Sequence, residues 1–180
     1  QLQPVSDPES LVAELARAGR AAQRQLARMD DPVKAAALRS AAAALRAASA
    51  QILEANASDL AAGQANGLSS AMLDRLKLDE SRLGGIAAAV EQVAALPDPV
   101  GQVIDRNTVP SGLELTRIRI PIGLIGIIYE SRPNVTADAA ALCLRSGNAA
   151  LLRGGSEAVH SNRAIHAALV EGLVAAGVPE

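Results

Sequence analysis

Two short polar stretches carry the residue types that could do chemistry. One is Glu130-Ser131-Arg132-Pro133-Asn134, the other Arg153-Gly154-Gly155-Ser156-Glu157. An arginine offers paired N–H donors and a fixed positive charge to phosphate or carboxylate. Glycines without a Cβ let the backbone come close to a ligand. A serine capping the next helix would aim that helix's free N–H groups and positive dipole end at the same spot. The second stretch therefore reads as a phosphate or ribose site. It reads as readily as a Gly-Gly turn with a capping serine and a solvated arginine. The dinucleotide fingerprint G-x-G-x-x-G is absent. Gly123 and Gly126 form only G-x-x-G inside a strand, where they are expected to permit close packing by a neighbouring element.

The remaining candidates carry less. Cys143 sits in the apolar helical stretch AALCL, where a free cysteine behaves as a small hydrophobe, and no histidine is near it in sequence. His160 and His166 are six residues apart on one helix, the wrong spacing for a metal pair, and read as exposed helix residues. No metal site, P-loop or Ser/His/Asp arrangement is expected.

What must position the two polar stretches is a βαβα pattern. Residues 122–129 (IGLIGIIY) form an unbroken apolar run of strand length, as expected of a strand buried on both faces. A helix is expected over 133–145, a second strand over 149–152, and a helix over 157–176, capped by Ser156 and closed by Gly177 and Pro179. Parallel strands joined by a right-handed crossover end at one sheet edge, so both stretches should lie there side by side. In open α/β sheets that edge is where ligands bind.

The first hundred residues read as helices. Asp7-Pro8 starts one, with Leu11, Leu15, Ala18, Ala22 and Leu26 on one face. Asp31-Pro32 starts a second, running to Asn66-Gly67 with Leu38, Ala42, Leu45, Ile52 and Leu53 inward. A short helix covers 70–76. Asp79 caps a further one with Ile86, Val90, Val93 and Leu96 on its apolar face, stopped by Pro97 and Pro99. Residues 102–106 and 113–120 then read as two antiparallel strands, neither with a clean apolar face. Such a ribbon suits packing against another subunit, or a plain surface hairpin.

The bulk composition narrows the classes. Apolar residues are 49% of the chain and charged ones 20%, enough for a packed core. The formal charge is −2 and Tyr129 is the sole aromatic, so nucleic acid is set aside. No apolar run spans a bilayer, and the first fifteen residues lack the pattern of a secretory signal. A soluble, cytoplasmic protein is expected.

Residues 117–162 (RIRIPIGLIGIIYESRPNVTADAAALCLRSGNAALLRGGSEAVHSN) closely resemble the most characteristic stretch of the γ-glutamyl phosphate reductase (glutamate-5-semialdehyde dehydrogenase) family, within the aldehyde dehydrogenase superfamily. RLKLDESRL and LPDPVGQV are similar too, so the resemblance covers essentially the whole chain.

The resemblance implies an α/β, aldehyde dehydrogenase-like fold. Residues 1–100 would be the N-terminal helical part of the cofactor domain and 101–120 a β-ribbon for oligomerisation. Residues 121–180 would be the first half of a Rossmann-like NADP-binding domain, one that binds cofactor without the glycine fingerprint. Family members reduce L-glutamate 5-phosphate with NADPH to glutamate-5-semialdehyde, phosphate and NADP+, in proline biosynthesis. By resemblance, Ile127, Ile128, Tyr129 and Glu130 line the cofactor cleft, and Arg153, Ser156 and Glu157 face the adenosine ribose. Arg153 and Ser156 would recognise the 2′-phosphate. Asn134 is the candidate oxyanion donor, and Arg132 the candidate for the acyl phosphate or substrate carboxylate.

A homo-oligomer and association with glutamate 5-kinase are the implied partnerships. The family's nucleophilic cysteine lies beyond Glu180, and Cys143 is not in its motif. The chain alone is therefore expected to be inactive. It would either supply cofactor binding to an enzyme or serve as a non-catalytic association module. A generic α/β phosphate binder is a third reading.

Overall fold

The computed structural model describes residues 7–178. The expected stop at Pro179 and the first six residues, read above for a signal, lie outside the described residues.

Helix α1 (Pro8–Leu26) begins as its sequence dictates, with the Asp7 carboxylate accepting the Glu9 N–H. Its packed side matches the expected one only in part. Leu26 is buried as expected, but Leu11 and Leu15 are exposed, and Gln23 packs beside Leu26 against the body of the protein. The Gln23 side chain donates to the Gly147 carbonyl at 3.1 Å.

The alanine-rich segment is two helices rather than one. Helix α2 (Asp31–Ala47) stops at Ala48, whose backbone leaves the helical well, and α3 (Ser49–Ala65) follows directly. Helix α3 carries buried Asn56 and Asp59, which bond to partners on other elements. Helix α4 (Ser70–Leu76) is capped by Ser69, and α5 (Glu80–Ala95) by Asp79. Ile86 and Val90 of α5 are buried, whereas Leu96 is exposed at its end.

Strands β1 (Val103–Thr108) and β2 (Glu114–Ile118) pair antiparallel as a ribbon, every residue of which is exposed. Strands β3 (Leu124–Ile128) and β4 (Ala149–Arg153) pair parallel, joined through α6 (Asn134–Arg145). After β4 comes a 3₁₀ turn, Ser156–Ala158, and then α7 (Val159–Ala175), closed by Gly177 at φ +82°. The final helix thus starts later than expected, and Ser156 caps nothing.

β3 is not buried on both faces. Ile128 is 82% exposed, because β4 is its single neighbour in a two-stranded sheet. Gly123 precedes the strand at φ +127°, with the Arg20 side chain against it, so it meets a neighbour as expected; Gly126 faces open space.

The core is small-residue aliphatic packing of α2 against α5 and α7, with α6 closing one side. A Cβ on Gly172 of α7 would lie 2.5 Å from the Ala41 Cα, so the two helices touch backbone to backbone there. Lys34 is buried and pairs with Asp98. Arg145, also buried, pairs with Asp31 and donates to the Leu96 carbonyl. Burial would raise the Asp98 carboxyl, but the hydrogen bonds from Lys34 and the Val100 N–H, with the charges of Lys34 and Arg145, hold it below its ordinary value.

Candidate functional site

Both polar stretches emerge at one sheet edge. Ile128 sits opposite Arg153 in the parallel register, and the Tyr129 N–H donates to the Arg153 carbonyl at 3.1 Å. Beyond that point the two loops are tied together. The Ser131 hydroxyl donates to Glu157 Oε2 at 3.1 Å. Thr136 Oγ1, at the base of α6, donates to Asn162 Oδ1 at 3.1 Å. Its one proton is thereby used, so in the 2.7 Å contact between Tyr129 and Thr136 the phenol is the donor.

Above the edge lies an open cleft of about 590 Å³. Ile128, Tyr129, Glu130, Arg153, Ser156 and Glu157 line it, together with Met72 and Arg75 of α4. Ile127 is not in that lining; it lies one residue back on the strand, on the opposite face. Six of the seven residues expected around a cofactor therefore converge. Arg153 is exposed and makes no ion pair among the described residues.

Two expected devices are otherwise employed. The first free N–H groups of α7 are not open to a ligand: those of His160 and Ser161 donate to the Asp59 carboxylate at 3.1 and 2.7 Å, and the Ser161 hydroxyl adds a third bond at 2.6 Å. Asp59 is a buried cap supplied by α3 to a distant helix. The glycines also serve the protein itself. A Cβ on Gly154 would collide with the Asn162 amide and the Tyr129 ring. One on Gly155 would lie 2.6 Å from Glu157 Oε2. Their missing side chains make room for the network that ties the loops.

Arg132 and Asn134 face elsewhere. They border a hollow of about 250 Å³ between the start of α6 and the α4–α5 turn, with Arg75, Lys77 and Arg82 on its other walls. The Asn134 amide group donates to Asp138 Oδ2 at 3.0 Å. Arg75 borders both hollow and cleft, so the two spaces adjoin. Arg75, Lys77 and Arg82, which line this hollow, were not among the expected residues. Their signal was the cationic spacing of RLKLDESR, which helix reading treats as a solvated face.

Cys143 is buried away from both spaces, and burial pushes its thiol pKa up, which keeps it protonated and unreactive. His160 and His166 are exposed. No helix among the described residues is long and apolar enough to cross a membrane.

No family model matches the chain. A γ-glutamyl phosphate reductase of Novosphingobium aromaticivorans is 71% identical over 169 residues, which is 94% of this chain and 40% of that protein. The chain matches an N-terminal portion of the γ-glutamyl phosphate reductase family. It spans about 40% of the length of the curated reductases it matches. The crystal structure of γ-glutamyl phosphate reductase from Thermotoga maritima superposes with a TM-score of 0.89 at 42% identity, covering 93% of this chain and 41% of the reductase. An NAD-dependent benzaldehyde dehydrogenase from Corynebacterium glutamicum superposes at 0.70 with 22% identity, over 93% of this chain and 34% of its own, a likeness of fold. The chain thus has the expected aldehyde dehydrogenase-like fold: N-terminal helices, a ribbon and a βαβα unit.

Proposed function

We propose that this chain supplies the cofactor-facing part of an enzyme that reduces L-glutamate 5-phosphate to L-glutamate 5-semialdehyde with NADPH, a step of proline biosynthesis in the cytoplasm. In this reading residues 1–100 and 121–180 belong to the cofactor domain, and 101–120 form the ribbon through which subunits associate. The observation that carries it is the cleft at the β3–β4 edge, where Tyr129, Glu130, Arg153, Ser156 and Glu157 meet in a chain 71% identical to a γ-glutamyl phosphate reductase.

The residues present fit a nicotinamide dinucleotide phosphate. The cleft is long and open enough for part of a nucleotide, and Arg153 stands in it as a cation with no protein counter-ion. Arg153 and Ser156 would hold the 2′-phosphate, Glu157 the ribose side, and Ile128 and Tyr129 the flat apolar surface. When bound, the cofactor supplies hydride. Since the helix amides of α7 are already taken by Asp59, phosphate recognition falls to the Arg153 side chain. Arg132 and Asn134 belong to the substrate side in this reading, Asn134 as oxyanion donor once its amide leaves Asp138. Association with glutamate 5-kinase is part of the same proposal.

Calorimetric titration of the folded chain with NADPH and NADH tests it. NADPH-selective binding, lost or inverted in Arg153→Glu, is the expected outcome. An unchanged NADPH preference in that variant would remove Arg153 from the site. The fully exposed ribbon favours a second reading, a non-catalytic association module. A folded chain that forms a defined oligomer but binds neither nucleotide would support it.

A further inference from the structure

We infer that the hollow beside the cofactor cleft is an anion site that grips the acidic groups of a small substrate through Arg75, Lys77 and Arg132. The inference deepens the proposed reduction of an acyl phosphate, and rests on it for the identity of the substrate.

The hollow gathers four cations and one carboxylate: Arg75, Lys77, Arg82 and Arg132 against Asp74. The carboxylate is already engaged. Arg82 Nη2 donates to Asp74 Oδ1 at 2.8 Å, while Nη1 donates to the backbone carbonyls of Lys77 at 2.9 Å and Asp74 at 2.5 Å. That fork staples the α4–α5 turn into one shape and sets Lys77 at the rim. Arg75 and Lys77 at the end of α4 and Arg132 just before α6 are exposed and make no ion pair among the described residues. Like charges held together repel, and a bound anion relieves that repulsion. Buried Pro133 and Ile86, with half-buried Leu78, form an apolar part of the wall, which strengthens a charge contact made against it.

Size defines the ligand further. At about 250 Å³ the hollow suits a small acid and not a dinucleotide, which separates it from the neighbouring cleft. Three cations match a molecule bearing a phosphate and a carboxylate, or two carboxylates. Arg75, bordering both spaces, stands where substrate and cofactor would adjoin.

The test is a titration of the ¹⁵N-labelled chain with inorganic phosphate and, separately, with glutarate at constant ionic strength, followed by amide shifts. Saturable shifts at Lys77, Leu78 and Asn134 are expected. Affinity should weaken about tenfold or more in Arg75→Ala and Arg132→Ala, and less in Arg132→Lys, because each alanine removes a charge-assisted contact. Arg153→Ala should leave it unchanged. The stronger of the two probes tells whether a phosphate or a carboxylate is the preferred group. Shifts that never saturate, or equal affinity in the alanine variants, would overturn the site. If Arg75→Ala does not fold, Lys77→Gln and Arg132→Lys decide the same question. NADPH titration of the same samples separates the two claims. Phosphate binding here without nucleotide binding keeps the anion site and counts against the cofactor reading, and the reverse keeps the cofactor reading alone.

Discussion

At the scale of single residues, several side chains of the two loops answer one another. Gly154 has no room for a Cβ, since Asn162 and Tyr129 occupy that space. Gly154→Ala is expected to break the Tyr129–Thr136–Asn162 chain of hydrogen bonds and destabilise the fold by about 1–3 kcal/mol, measured by urea unfolding. Asp59 matters more. Its carboxylate accepts two backbone N–H groups and a hydroxyl while buried, so Asp59→Ala should cost about 2–3 kcal/mol and Asp59→Asn about half that, on the same measurement. An equal cost for both would mean the side chain acts by filling space. Asp98 supplies a pH dependence. Its folded carboxyl titrates below its ordinary 3.8, so the stability it adds is complete above that value and is lost as pH falls from there toward the folded value. Asp98→Asn should flatten the acid limb of a stability-versus-pH curve. It should also lower neutral stability by about 3–5 kcal/mol, because buried Lys34 loses its partner.

Among elements, legibility followed local signals. Asp7 and Asp79 announce their helices because a capping side chain acts within three residues of itself. The parallel β3–β4 pair and its crossover were legible from an apolar run, a helix period and a second short run. The break at Ala48 was not, since an alanine-rich run carries no punctuation. α1 misled in part for a related reason: of its leucine stripe only Leu26 is buried, beside Gln23, and that side is selected by packing on β3 and β4. Of the site, the residue types were legible and their directions were not. Arg132 and Asn134, at the start of α6, border the hollow beside α4 rather than the cleft. The glycines that read as a ligand's approach are spaces filled by Asn162 and Glu157. A prediction belongs to the α2–α7 contact. Gly172→Val would force the two backbones apart at Ala41 and should destabilise by about 3 kcal/mol or more, seen as a lowered unfolding midpoint.

On the scale of the whole molecule, a good helical core carries a sheet and a ribbon with much apolar surface in water. Ile122 and Ile128 are 80% and 82% exposed, and Ile104, Leu113, Leu115 and Ile118 line the ribbon. Surface of this kind marks contact with other chains or segments. Sedimentation at rising concentration should show association, and Leu115→Lys with Ile118→Lys should shift it toward monomer while leaving the helical signal intact. An unassociated parent chain would confine the ribbon to a surface hairpin. One further consequence lies in α3. Asn56 holds the Leu76 carbonyl and the Leu78 N–H, fixing the turn that carries Lys77; Asp59, less than one turn along the same helix, holds the start of α7 behind Ser156 and Glu157. Ser161 bonds to both. The helix therefore acts as a gauge block. A rise of about 4.5 Å between those two side chains sets how far apart the walls of hollow and cleft can stand. Neither wall can be shifted along α3 without disturbing the other, because both are pinned to the same helix.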